Sequence, residues 1–128
     1  MLLQALVADD SRVFRALVVE VLREKGFAVK EAGNGREALD HALSTRPELL
    51  VIDALMPVLS GFEMVGKLRE KLPEYQPVVI MVTGVYKSRR WESEARSRYR
   101  VDEYLEKPLS PETLIAALDR YFPEASHP

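Results

Sequence analysis

The 128-residue chain contains no cysteine, which removes disulfides, thiolate metal sites and thiol nucleophiles together. Histidine is nearly as scarce. His41 and His127 are the only two, too few for a histidine metal cluster; His41 is placed on a helix surface and His127 in the C-terminal tail. No apolar run approaches the roughly 18 residues of a membrane span. Met1–Ala8 is apolar, but it lacks a basic leader and runs into Asp9-Asp10 rather than a small-residue cleavage site. It reads as a first buried strand. Charge of one sign is lacking too: 18 Lys+Arg against 20 Asp+Glu leave −2, with no global pull toward nucleic acid or membrane. No internal repeat is found. With 47% hydrophobic and 30% charged residues, the composition fits one globular domain. That domain is expected over residues 1–122, with a frayed tail at 123–128, in the cytoplasm.

Short apolar runs alternate with longer amphipathic stretches. Leu2–Ala8 reads as a strand. Arg12–Lys25 reads as a helix buried through Val13, Phe14, Leu17, Val18, Val21 and Leu22, with Ser11 as cap and Gly26 as stop. Phe27–Ala32 is the second strand, with Phe27, Val29 and Glu31 facing one way. Arg36–Thr45 is a short helix. Leu49–Ile52 is apolar on both faces, as a central parallel strand should be. Phe62–Leu72 is the third helix, and Val78–Val82 is a second wholly apolar strand. Ser88 to about Tyr99 is helical but polar. Asp102–Glu106 is a short edge strand, and Ser110-Pro111-Glu112 opens the last helix. The pattern is (βα) five times over. Connections that contain helices force parallel pairing and right-handed crossovers, so the fold class is α/β: a doubly wound five-stranded parallel sheet.

Ligands of such a sheet bind in the crevice at the C-terminal ends of its strands. Five polar residues stand at those ends: Asp9 and Asp10 after the first strand, Asp53 after the third, Thr83 after the fourth and Lys107 after the fifth. Adjacent carboxylates repel and raise each other's pKa unless a cation joins them. A hard cation with oxygen ligands, such as Mg²⁺, resolves this. A carboxylate such as Asp53 can act as a nucleophile toward phosphorus, and phosphoryl transfer needs mainly charge neutralisation. Lys107 supplies positive charge and Thr83 a hydroxyl donor. Each of these residues alone is more often a cap or a surface group; the coincidence of all five carries the reading.

The same residues resemble the receiver domain of bacterial two-component response regulators, from end to end of the chain. The motifs are Asp9-Asp10, Asp53 followed by Met56-Pro57 and Gly61, Thr83-Gly84, and Lys107-Pro108. The resemblance implies a flavodoxin-like sheet of order 2-1-3-4-5. It implies Asp53 as phosphoacceptor, and Mg²⁺ (or Mn²⁺) on Asp9, Asp10, Asp53 and the Leu55 backbone carbonyl. Thr83 and Lys107 would hold phosphoryl oxygens. Tyr104 would be the aromatic that swings inward as Thr83 shifts, and the Lys107–Pro108 bond would be cis. The donor would be a sensor histidine kinase or a phosphotransfer protein. The response would be a population shift in the face made by the fourth helix, fifth strand and fifth helix.

The chain departs from that pattern in three places. Leu55 and Val85, each two residues beyond a site residue, cannot orient an attacking water, which predicts slow dephosphorylation. Arg100-Val101 stands where the family often has Gly-Ala, and the segment from Thr83 to Lys107 is about two residues longer than usual, so the shape of the fourth helix is open. From Lys87 to Arg100, six cations face two acids, with Trp91, Tyr86 and Tyr99 interleaved. The readings are a solvated helix face or a docking surface for an acidic, unidentified downstream protein; nucleic-acid contact is disfavoured because no recognition-helix motif accompanies it. No effector domain follows Pro123, so output is expected through protein contact. The alternatives are a degenerate receiver acting as a phosphorylation-independent interaction module, and an aspartyl phosphohydrolase. The phosphohydrolase lacks its second acid, since Leu55 stands in that place. Dinucleotide binding is excluded, because Ala8-Asp9-Asp10-Ser11 lacks the glycines that admit a pyrophosphate. The site is thus expected to catalyse only its own phosphorylation and dephosphorylation.

Overall fold

A computed structural model describes residues 2–123; residues 124–128 of the expected tail, with His127, lie outside the described residues. Five strands and five helices alternate: β1 Gln4–Ala8, α1 Arg12–Glu24, β2 Ala28–Ala32, α2 Gly35–Thr45, β3 Leu49–Asp53, α3 Gly61–Lys71, β4 Val78–Thr83, α4 Arg89–Arg98, β5 Glu103–Glu106 and α5 Pro111–Tyr121. All four strand pairings are parallel, and the sheet order is β2-β1-β3-β4-β5. The expected doubly wound, flavodoxin-like sheet is what forms.

Period-two alternation divides the strands between two cores. Leu50 and Ile52 of β3 join Met64, Val65 and Leu68 of α3 on one face. Leu49 and Val51 join Val18, Leu22 and Leu118 on the other. The same alternation places Asp53 on the α1–α5 face and Thr83 on the α3–α4 face. Capping residues set the helix starts: Asn34, Ser60, Ser88 and Ser110 each accept first-turn amides.

One expectation changes, and two open points are resolved. Val13 is 84% exposed, because the first turn of α1 projects beyond the strand ends; Val19 is buried in its stead. Glu31 stays on the α1 side of β2 but at the surface, paired with Arg15 at 3.0 Å. Arg100 does not disturb α4. It adopts the left-handed conformation itself (φ 57), so that the Val101 N–H reaches back to the Ala95 carbonyl at 3.1 Å. That is the closure a glycine ordinarily provides.

Candidate functional site

The end of β1 and the end of β3 lie side by side in the sheet, which brings Asp9, Asp10 and Asp53 together. One carboxylate oxygen from each falls within 4.8 Å of the others. Asp9 and Asp53 are buried and Asp10 is exposed. Each buried acid spends its Oδ1 locally: Asp9 Oδ1 accepts the Ser11 N–H at 2.8 Å, and Asp53 Oδ1 accepts the Leu55 N–H at 3.2 Å. Their Oδ2 atoms turn toward Lys107, whose Nζ lies 2.9 Å from Asp9 and 3.3 Å from Asp53. The Lys107 ammonium is the only group that meets the buried Asp9 Oδ2 among the described residues, and it does so as an ion pair.

The electrostatics follow from that crowding. Burial, and then the neighbouring Asp9 carboxylate, pushes Asp53 up to about 6. Burial alone would lower Lys107, but Asp9 and Asp53 hold its ammonium above the ordinary value. One lysine against three acids leaves the cluster net negative, with the buried Asp9 Oδ2 balanced by that lysine alone. Those are the conditions that a hard divalent cation with oxygen ligands satisfies, so the residues fit Mg²⁺. A cavity of about 470 Å³ opens over the site, lined by the polar Asp10, Asp53 and Lys107 and by the apolar Leu55, Met56 and Val85.

Thr83 does not join the acids through its side chain. It is fully buried, and its Oγ1 accepts the Val85 and Tyr86 N–H groups at 3.1 and 2.8 Å. Only its backbone carbonyl meets Lys107, accepting that residue's N–H at 2.8 Å. Tyr104 is buried, and its hydroxyl donates to the Tyr86 carbonyl at 2.6 Å; burial pushes this phenol up to about 12. The Lys107–Pro108 bond is cis.

The loop between β3 and α3 is shaped by close packing. A Cβ on Gly61 would lie 2.2 Å from the Asp53 carbonyl oxygen, so only glycine lets α3 start against the end of β3. Val58 in the same loop takes φ 71, a conformation β-branched residues rarely adopt.

Sequence reasoning overlooked two supports of the site. Phe14 lies under Lys107, with Nζ 4.3 Å from the ring centroid. The apolar stripe of α1 contained Phe14 but gave no sign that it faces a cation. Arg15 grips the Asp9 carbonyl at 2.7 Å; its position one helical turn beyond the acids was the available signal. Tyr86, tied to both Thr83 and Tyr104, was noted for its aromatic character alone.

Fold and site together define a flavodoxin-like protein with an acidic pocket, lined by one lysine, at the carboxyl edge of its strands. The chain belongs to the response regulator receiver domain family, whose model matches residues 5–119. It is 35% identical over 116 residues to an uncharacterized 14.6 kDa protein in the sodA1 3' region of Leptolyngbya boryana, covering 91% of this chain and 87% of that one. It is also 35% identical over 113 residues to the response regulator MprA of Mycolicibacterium vanbaalenii, covering 88% of this chain but only 47% of that relative. The chemotaxis protein CheY4 of Vibrio cholerae superposes with a TM-score of 0.84 at 32% identity, covering 94% of this chain and 98% of that one. The corresponding values for the receiver domain of AraT from Geobacillus stearothermophilus are 0.80 and 35%, with 94% and 92% covered. Among the described residues no helix is long and apolar enough to cross a membrane.

Proposed function

We propose that this receiver domain accepts a phosphoryl group on Asp53 from the phosphohistidine of a sensor histidine kinase or a phosphotransfer protein in the cytoplasm. The observation that carries the reading is the convergence on Asp53. Its carboxylate ends the central strand, clusters with Asp9 and Asp10, and lies 3.3 Å from the Lys107 ammonium. An Asp53 oxygen would attack phosphorus while the P–N bond to the imidazole breaks, its electron pair leaving with the ring. Lys107 would stay with the phosphoryl oxygens to balance their charge. Asp9, Asp10, Asp53 and the Leu55 backbone carbonyl would hold Mg²⁺, or Mn²⁺; when bound, the ion supplies charge neutralisation at the phosphoryl oxygens. Thr83 would rotate its hydroxyl from the loop to a phosphoryl oxygen. With Tyr104 inward, that rotation would bias the face of α4, β5 and α5.

Leu55 and Val85 are 44% and 63% exposed at the mouth of the cavity and offer no polar atom to a water. Loss of the phosphoryl group would therefore be slow. The domain would catalyse its own phosphorylation and dephosphorylation and no other reaction. Incubation with acetyl phosphate and Mg²⁺ is expected to add one phosphoryl group by intact mass, and an Asp53→Ala variant is expected to stay unmodified. An unmodified wild-type protein would instead make the chain a phosphorylation-independent interaction module.

A further inference from the structure

We infer that the hollow between α3 and α4 is a docking surface for an acidic protein segment that presents an apolar side chain flanked by carboxylates, and that Tyr86 gates it. The gating rests on the phosphoacceptor reading; the surface itself does not.

Trp91 is the sole tryptophan of the chain and is 38% exposed on a helix that buries only Ala95. Its ring lies 5.7 Å from Phe62 and 4.4 Å from Tyr86, and Phe62 lies 5.4 Å from Tyr99. Beside these rings is a hollow of about 290 Å³ walled by Arg90, Glu94 and Arg98, with room for a leucine or phenylalanine side chain. Arg98 and Tyr99 also line a second hollow, of about 450 Å³, along α3. Gly66 keeps that part open: a Cβ there would sit 3.3 Å from the Tyr99 ring.

The second hollow is cationic. Lys67, Arg69, Arg98 and Arg100 line it, against two acids, Glu63 and Glu70. Lys67, Arg90 and Arg100 make no ion pair among the described residues. Arg98 is held by Glu94 at 3.2 Å, an exposed i, i+4 pair that a competing carboxylate can exchange at little cost. Arg69 is occupied differently, donating to the Tyr99 and Arg100 carbonyls at 3.4 and 3.0 Å, so it anchors the end of α4. A hollow lined by Phe62, Trp91 and Tyr99 beside a cationic one selects an amphipathic, acidic occupant.

Tyr86 links this surface to Asp53. Its N–H is bound by Thr83 Oγ1 and its carbonyl by the Tyr104 hydroxyl, while its ring covers Trp91. A Thr83 hydroxyl that turns to a phosphoryl oxygen releases the Tyr86 N–H, and the ring shifts on Trp91. The output would thus reach the α3 side of α4 as well as its β5–α5 side.

The full chain would be titrated with Mg²⁺ and beryllofluoride, reading bound fluoride by fluorine NMR and Trp91 by its emission. A bound fluoride signal is expected together with a change in Trp91 emission. Tyr86→Leu is expected to keep the first and lose the second. In parallel, the peptide Ac-Glu-Glu-Phe-Leu-Glu-Glu-NH2 is expected to shift the amide resonances of Lys67, Trp91 and Arg98. Its lysine-for-glutamate counterpart, or the Lys67→Glu/Arg98→Glu double variant, should bind about tenfold more weakly. Bound fluoride with unchanged Trp91 emission overturns the gate. Equal binding of both peptides, or no amide shifts at millimolar peptide, overturns the surface. A missing fluoride signal sinks the Asp53 reading and the gate with it, while the peptide arm, which needs no fluoride, still decides the surface.

Discussion

Single residues carry the chemistry through what they lack as much as through what they offer. Leu55 and Val85 put hydrocarbon where a polar side chain could position water over Asp53. Replacing Leu55 with Asn is expected to speed loss of the phosphoryl group about tenfold, since one added water-orienting hydrogen bond is worth about 1.4 kcal/mol in the transition state. The decay of the phosphorylated mass with time measures it, and an unchanged rate would show that this position is indifferent. Arg100 illustrates a different lesson. From sequence, a bulky residue in place of glycine left the shape of α4 open; the chain instead accepts the left-handed backbone at Arg100. Arg100→Gly should therefore stabilise the domain by about 0.5–1 kcal/mol in urea unfolding, the backbone strain being relieved while Arg69 keeps its carbonyl partner there.

At the scale of elements, the start of α3 fixes the geometry of the acid that ends β3. Ser60 and Glu63 form a reciprocal capping box with both bonds at 3.1 Å, and the Gly61 N–H reaches the Ala54 carbonyl at 2.9 Å. Because a Cβ on Gly61 would collide with the Asp53 carbonyl, Gly61→Ala should cost about 1–3 kcal/mol of stability and also weaken Mg²⁺ binding. Ser60→Ala, which loses a cap but causes no clash, should cost about 1 kcal/mol and leave Mg²⁺ affinity unchanged. Equal Mg²⁺ affinity in the two variants, by calorimetry, would argue against control of Asp53 by this close approach. Helix α4 contrasts with α3: its single buried residue, Ala95, and its anchoring by Arg69 leave it held lightly.

Over the whole molecule, the acid cluster sets stability against function. In the metal-free protein Asp53 titrates near 6 instead of 3.8, so the folded state holds this proton more tightly than the unfolded chain does. Its stabilising contribution is complete below 3.8 and is lost as pH rises through about 6. In EDTA, Asp53→Asn should match wild type near pH 4 and exceed it by about 1–3 kcal/mol near pH 8. A pH-independent difference between the two proteins would contradict this. Added Mg²⁺ should restore wild-type stability at high pH, by about 2.7 kcal/mol at a hundredfold excess over Kd, with no such gain in the Asn variant.

Periodicity alone was enough to place ten elements, because strand runs such as Leu49–Ile52 and helix stripes such as Val18–Val21–Leu22 record which faces must leave water. Residue type at the strand ends was enough to nominate Asp9, Asp10, Asp53 and Lys107, since parallel strands share one edge. What sequence could not determine was side-chain direction at that edge. Whether Thr83 points to the acids or to the loop, whether Val13 or Val19 is buried, and that Phe14 lies beneath Lys107 depend on how helices sit against the sheet. Such choices are made by packing between segments far apart in the chain, and no local pattern encodes them.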